Sequence, residues 1–278
     1  MSLPHLARRL FVTGGMITCL VGGLLGSGVL GRDIDEQVRG ALQSDATLIA
    51  PASPAFSIWF VIWLGFVAYT VWQWLPSSER SRRPERVHWI AGSTLYLNGA
   101  FTIFSQFQAV WPLVVTMALL VPALIWLLVL LHRTAPVEFA ERFAGDHTFG
   151  LYLGWSTVAL LAMIAAALTM GGYDMGDVEH TRTAIAMLVA AVVIGLAYAL
   201  TMGARLSIAV AISWGLAWIS YNRLTLRPYS SEVGTTAAIG AAVVLASTAL
   251  LRGLAPLARR RLATYRSAHI PSVEPAAD

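Results

Sequence analysis

The sequence predicts an all-helical integral membrane protein, a polytopic bundle of about eight transmembrane helices, and three observations carry that prediction. Of the 278 residues 57% are hydrophobic and only 12% charged, with a mean hydropathy of +0.66, whereas a soluble domain carries about 25% charge. Charge-free apolar runs recur along the chain at about 20 residues, the length a helix needs to cross a hydrocarbon core about 30 Å thick. The third observation is arginine placement. With the N-terminus read as cytoplasmic, 14 of the 19 arginines fall inside and 5 outside, the asymmetry expected of cytoplasmic loops. An even number of spans with both termini inside follows. All 19 basic residues are arginine, so a Schiff-base cofactor such as retinal would find no lysine amine.

The first span, 10–31, follows Arg8 and Arg9. It is long for the apolar region of a signal peptide and precedes no clear small-x-small cleavage site, so it is read as retained. The second, 54–75, lies largely within PASPAFSIWFVIWLGFVAYTVWQW (residues 51–74), which holds Trp59, Trp63, Trp72 and Trp74 and no charge. Phe56, Trp59, Phe60, Trp63 and Phe66 recur at helical spacing and share one side. Interfacial tryptophans cluster near span ends, yet Trp63 is about 14 Å in from Pro54 at 1.5 Å per residue. The third span, 88–107, sets Asn98, Phe101, Thr102 and Ser105 on one side and closes with Gln106 and Gln108. The fourth, 110–131, carries Pro122 mid-span, and the fifth, 148–171, aligns Tyr152, Trp155, Ala159 and Met163. Only Met202 to Arg205 separate the sixth, 183–203, from the body of the seventh, 205–222, so a single excursion over 183–222 is the competing reading there. Trp214, Trp218, Tyr221 and Asn222 repeat the aromatic pattern on the seventh, and 234–252 is the eighth. Residues 255–278 read as an irregular basic tail, its arginines lying beside anionic lipid; no folded domain presents them to nucleic acid.

The cores of these spans hold no Asp, Glu, Lys or Arg. An intramembrane ionisable group is the usual mark of a proton relay or ion-coupled transporter, and no acid–base pair or activated nucleophile can be assembled from these helices. The chain is therefore read as a non-enzyme with no catalytic residue and no cofactor. His88, His132 and His147 fall at predicted cytoplasmic helix ends without the i, i+4 spacing of paired ligands, so no metal site is predicted. Cys19 is the single cysteine and forms no intrachain disulfide. What remains is a set of aromatic faces with a few neutral hydrogen-bonding groups. Each face alone is explained by interhelical packing; together they have the make-up of a pocket for a largely apolar ligand.

The stretch Ile49 to Trp59, IAPASPAFSIW, is similar to the proline-then-aromatic approach to the second helix of the translocator protein family (TspO/MBR, the peripheral benzodiazepine receptor family). It resembles most the long bacterial branch known as tryptophan-rich sensory proteins. Phe149 to Ala159, FGLYLGWSTVA, is similar to that branch's fifth-helix motif, and Leu97 to Phe104 is a weaker echo of the third-helix motif. Phe101 stands where the family has tryptophan, and Met163 where it usually has asparagine. The resemblance covers residues 10 to 171. It implies a five-helix core (1–171) with a pocket for porphyrins, sterol-like molecules and synthetic ligands, three appended helices (172–254) and the tail, all in one membrane domain. Ile212 to Ile219 of the appended part also looks like a stretch of the long branch. On this reading Trp59, Trp63 and Trp155 stack on a hydrophobic, planar, porphyrin- or sterol-like ligand beside Phe101 and Ala159, and Asn98 and Tyr152 orient its polar edges. The expected role is binding or sensing in a bacterial inner membrane, with the lipid bilayer and that small molecule as partners; a homodimer is compatible with such a bundle. The alternatives are a facilitator of a small neutral metabolite and a structural membrane protein without ligand.

Overall fold

The computed structural model describes residues 3–26, 40, 43–107, 110–171 and 176–269. Among these, eight helices of 15 residues or more follow one another: α1 (Leu3–Gly26), α2 (Ile58–Trp72), α3 (Arg86–Ser105), α4 (Val110–Arg133), α5 (Thr148–Met170), α6 (Gly176–Thr201), α7 (Leu206–Thr225) and α8 (Ser231–His269). A 3₁₀ turn, Ser53–Ser57, leads into α2. A helical turn, Phe139–Glu141, and a π-helical stretch, Arg142–His147, lead into α5. The region that reads as either one excursion or two is two helices. Gly203 at φ 74° and Ala204 at φ 51° reverse the chain between α6 and α7, a left-handed conformation that glycine adopts without steric cost.

Six of the eight are long and apolar enough to cross a membrane: α1, α2 with its 3₁₀ turn, α4, α5 with its lead-in, α6 and α8. Helices α3 and α7, which complete the expected eight, fall short on hydropathy alone. Their polar residues are turned inward. Thr94, Asn98 and Ser105 of α3, and Ser207, Ser213, Ser220, Asn222 and Arg223 of α7, are buried. A helix surrounded by protein needs less apolar surface than one facing lipid. Two boundaries also differ. Helix α1 begins at Leu3, with Arg8 and Arg9 inside it, and residues 27–31 of the expected span lie outside the described residues. Helix α8 continues to His269 where an irregular tail is expected from 255, through a segment rich in Leu, Ala and Arg, all good helix formers; 270–278 lie outside the described residues.

Helix α1 packs along α3, α3 on α4, α4 on α5, α5 on α7, α7 on α8 and α8 on α6. Glycines set the closest approaches. A Cβ on Gly99 of α3 would lie 2.9 Å from the Thr18 backbone of α1, and one on Gly154 of α5 would strike the Ile208 carbonyl of α7 and lie 2.8 Å from Ala211 Cβ. Gly150 and Gly154 form the small-x-x-x-small pattern that lets two membrane helices meet. Helix α2, which carries the longest aromatic face, is held further from its neighbours. Helix α2 meets α1, α5 and the π-helical lead-in with few close backbone approaches, because indole and phenyl rings fill the space between.

Candidate functional site

A cavity of about 350 Å³ lies among α1, α2, α3 and α5. Pro54 is the second residue of the 3₁₀ turn before α2, where proline's fixed φ is tolerated in the first turn of a helix. The turn delivers Phe56 and Trp59 to the level of Trp155 on α5. Phe56 and Trp155 meet edge to face with centroids 5.7 Å apart, and Trp59 and Trp155 do so at 6.5 Å. Trp63, one turn further along α2 with its ring centroid 6.2 Å from that of Trp59, closes the wall beside Gly23 of α1. A Cβ on Gly23 would sit 2.8 Å from the Trp63 ring. The inward stripe is thus Phe56, Trp59, Trp63 and Phe66, whereas Phe60, expected on the same face, is 66% exposed and touches the cavity only at its rim.

The opposite walls come from Asn98, Phe101 and Thr102 of α3 and from Trp155, Val158, Ala159 and Met163 of α5. Asn98 is the buried polar residue of the lining; its Oδ1 accepts a hydrogen bond from Cys19 Sγ at 2.8 Å. Six of the seven residues singled out from sequence, namely Trp59, Trp63, Asn98, Phe101, Trp155 and Ala159, border this one cavity. Tyr152 does not. It is fully buried a turn below Trp155, behind Trp59 (5.8 Å) and against Phe66 (5.0 Å). Its hydroxyl comes near the Asn98 side chain without a well-formed bond. Sequence reasoning misses Met117 of α4 and the segment Thr47, Ala50, Pro51, which borders the cavity from the α1–α2 connection. Pro51 and Pro54, three residues apart, are the available signal that this segment is not helical.

A second group of aromatic and titratable residues lies at the other end of the bundle. Trp74 is 41% exposed, its Nε1 donating to Thr13 Oγ1 at 3.1 Å and its ring 5.7 Å from the Arg9 guanidinium. Trp72 Nε1 donates to Glu138 Oε1 at 2.8 Å; that bond and one from Ser77 hold the Glu138 carboxyl below the usual carboxylate range. His88 Nδ1 is 2.8 Å from the Tyr69 hydroxyl, and His132 lies against Gly203. Among the described residues no three His, Cys, Asp or Glu side chains gather where a metal ion could sit. The same end holds a buried ion cluster. Arg83 Nη2 binds Asp146 Oδ2 at 2.5 Å and its Nε faces Glu141 Oε1 at 3.4 Å, while Arg205 pairs with Asp146 Oδ1.

Compared with known families, residues 16–250 match a family model described as TSPO-like protein. The match runs through α6 and α7 into α8, beyond residue 171 where the resemblance is expected to end. No curated protein and no solved structure matches the chain.

Proposed function

The chain belongs to the TSPO-like family, and from that premise we propose that it is a membrane binding or sensory protein which takes up a hydrophobic, planar ligand of porphyrin- or sterol-like chemistry between α1, α2, α3 and α5. The observation that carries this reading is the cavity itself. Its 350 Å³ falls within the range of small-molecule pockets, about 300–1,000 Å³, and its walls are aromatic and aliphatic with few polar groups. Rings presented edge to face by Phe56, Trp59 and Trp155 offer both a flat slot and the large apolar area on which binding without charge depends. Asn98, oriented by Cys19, is the polar group that would fix the ligand's direction. Phe101 and Met163, in place of the family's tryptophan and asparagine, favour a ligand with fewer polar edges at those two walls. Tyr152 acts from behind, by supporting Trp59.

The test is titration of the purified protein with protoporphyrin IX, followed by tryptophan quenching, with cholesterol and retinol added as competitors. Saturable quenching relieved by an apolar competitor is expected. Quenching that rises linearly with porphyrin, and that no competitor displaces, would remove the pocket reading in favour of a structural bundle.

A further inference from the structure

Buried backbone outside a helix needs protein partners for its N–H and C=O groups, and the connection into α2 runs as such backbone along α7. Asn222 Nδ2 donates to the Ser44 carbonyl at 2.7 Å and to the Ala50 carbonyl at 2.9 Å. Arg223 Nη2 donates to Ser44 O at 2.5 Å, and its Nη1 to Pro228 O at 2.8 Å. One and two turns back along α7, the Trp218 carbonyl accepts from Ala52 N at 3.4 Å and Trp214 Nε1 donates to Ala55 O at 2.8 Å. Residues 44–55 are therefore fastened to α7 at three levels, from Ser44 and Ala50 beside Asn222 to Ala55 beside Trp214.

These fasteners act on a connection rather than on another helix, since their acceptors are the backbone carbonyls of Ser44, Ala50 and Pro228. Asn222 and Arg223 are fully buried; Arg223 makes no ion pair within 4 Å among the described residues, although Asp45 of the held segment lies near enough to act on its charge. A membrane helix satisfies its own backbone and needs neither side chain, and a buried guanidinium is tolerated only where its hydrogen bonds are made. The segment that they hold is also a wall of the cavity, through Thr47, Ala50 and Pro51. Behind Thr47, between the segment and the facing ends of α5 and α6, a second cavity of about 80 Å³ offers room for the segment to withdraw.

We propose that α7 is the clamp of a cover: Asn222, Arg223 and Trp214 hold residues 44–55 across the cavity, and the strength of that hold sets how fast the ligand enters and leaves. The proposal rests on the pocket reading above and concerns positioning residues, none of which touches the ligand. It assigns a task to Asn222 and Arg223, the two most polar residues of α7.

The test uses the full chain in lipid nanodiscs with Cys19→Ser, and a reporter cysteine at Ala50, which is 5% exposed; Tyr229→Cys, in the α7–α8 connection, serves as reference. Asn222→Leu removes two of the bonds at similar volume, and Trp214→Phe removes one while keeping an aromatic ring. Maleimide labelling at position 50 should quicken by about tenfold in Asn222→Leu and by about threefold in Trp214→Phe, the scale of one or two lost hydrogen bonds, with labelling at position 229 unchanged. Association and dissociation of protoporphyrin IX, read by stopped-flow quenching, should accelerate together and leave Kd within about twofold, as expected when only the barrier changes. Unchanged labelling at 50 in both variants overturns the clamp, as does equal acceleration at 229, which marks general loosening. Faster labelling with unaltered porphyrin kinetics overturns its control of exchange. If the unsubstituted protein binds no porphyrin while labelling still quickens at 50, the fastening is upheld and the pocket reading is what fails.

Discussion

An indole ring buried at mid-bundle removes more apolar area from its surroundings than any other side chain, so its removal reports what the ring was touching. Trp155 is 2% exposed and meets both Phe56 and Trp59 at the cavity, and Trp63 closes the wall toward α1. Trp155→Ala and Trp63→Ala should each weaken protoporphyrin IX binding by about 1–3 kcal/mol, the scale of one large apolar contact, while Trp74→Ala, at the opposite end, leaves it unchanged. Binding must be compared at equal folded protein, because losing a packed tryptophan costs about 3–5 kcal/mol of stability. Equal affinities in all three variants would return these rings to packing alone. The depth of Trp63 is legible in the sequence, since a helix rises about 1.5 Å per residue from Pro54. The same logic misplaces Tyr152, because a helical face gives a direction but not the depth at which a void ends. Tyr152 shares its stripe with Trp155 and Ala159 yet lies below the floor. Met117 is out of reach for another reason: α4 is apolar on every side, and no pattern marks the one residue that meets the cavity.

Helix–helix contacts in this bundle rest on the absence of side chains as much as on their presence. Gly154 lies inside the LYLGW stretch, which stands out in the sequence for its aromatic residues, but its own part is to let α5 reach the α7 backbone at Ile208. Gly154→Val would force the two helices apart, since a carbonyl and a helix-borne Cβ cannot swing aside. A loss of about 1–3 kcal/mol is expected, the range for overpacking a tight site, with part of it carried to the cover that α7 holds. Gly253→Ala on α8, where an added Cβ meets nothing within 4 Å, should instead be neutral or gain about 0.5–1 kcal/mol. Thermal unfolding in detergent measures both; an equal response at the two sites would show that the α5–α7 approach is not tight. Six helices can be read from apolarity and length alone. Helices α3 and α7 are expected from shorter and more polar runs, and their polarity makes sense only against partners. Asn98 meets Cys19 across 79 positions of sequence and Asn222 meets Ser44 across 178, separations that no periodicity within one helix can express.

At the scale of the whole molecule the arginines have two uses, and only one is legible in the sequence. As orientation signals they support the proposed topology with both termini inside. In a Cys19→Ser background, Arg82→Cys should therefore label only from the cytoplasm and Tyr229→Cys only from the other side, both being exposed; the reverse pattern would invert the protein. The second use is structural. By sequence Arg83 is one of four loop arginines, yet its side chain is 3% exposed and binds Asp146 and Glu141, while Arg205 of the α6–α7 turn joins the same Asp146. Glu141 is further satisfied by Ser81 Oγ at 2.5 Å and Val137 N at 2.7 Å. The cluster thus ties the α2–α3 connection, the π-helical lead-in to α5 and the start of α7 into one knot. Asp146→Ala leaves two guanidinium groups facing each other without their shared carboxylate, and should destabilise by about 3–5 kcal/mol, the cost of breaking a buried pair from one side. Arg205→Leu alone should cost less, because Arg83 and Asp146 remain paired. The double variant should be less damaged than the two losses summed, by a coupling of about 0.5–3 kcal/mol. Protoporphyrin IX affinity of the folded fraction should not change, since the knot and the cavity occupy opposite ends of the bundle. Denaturant unfolding of the four proteins decides the matter: additive losses would mean that Asp146 and Arg205 act separately, and that the knot does not couple the lead-in to α5 with the start of α7.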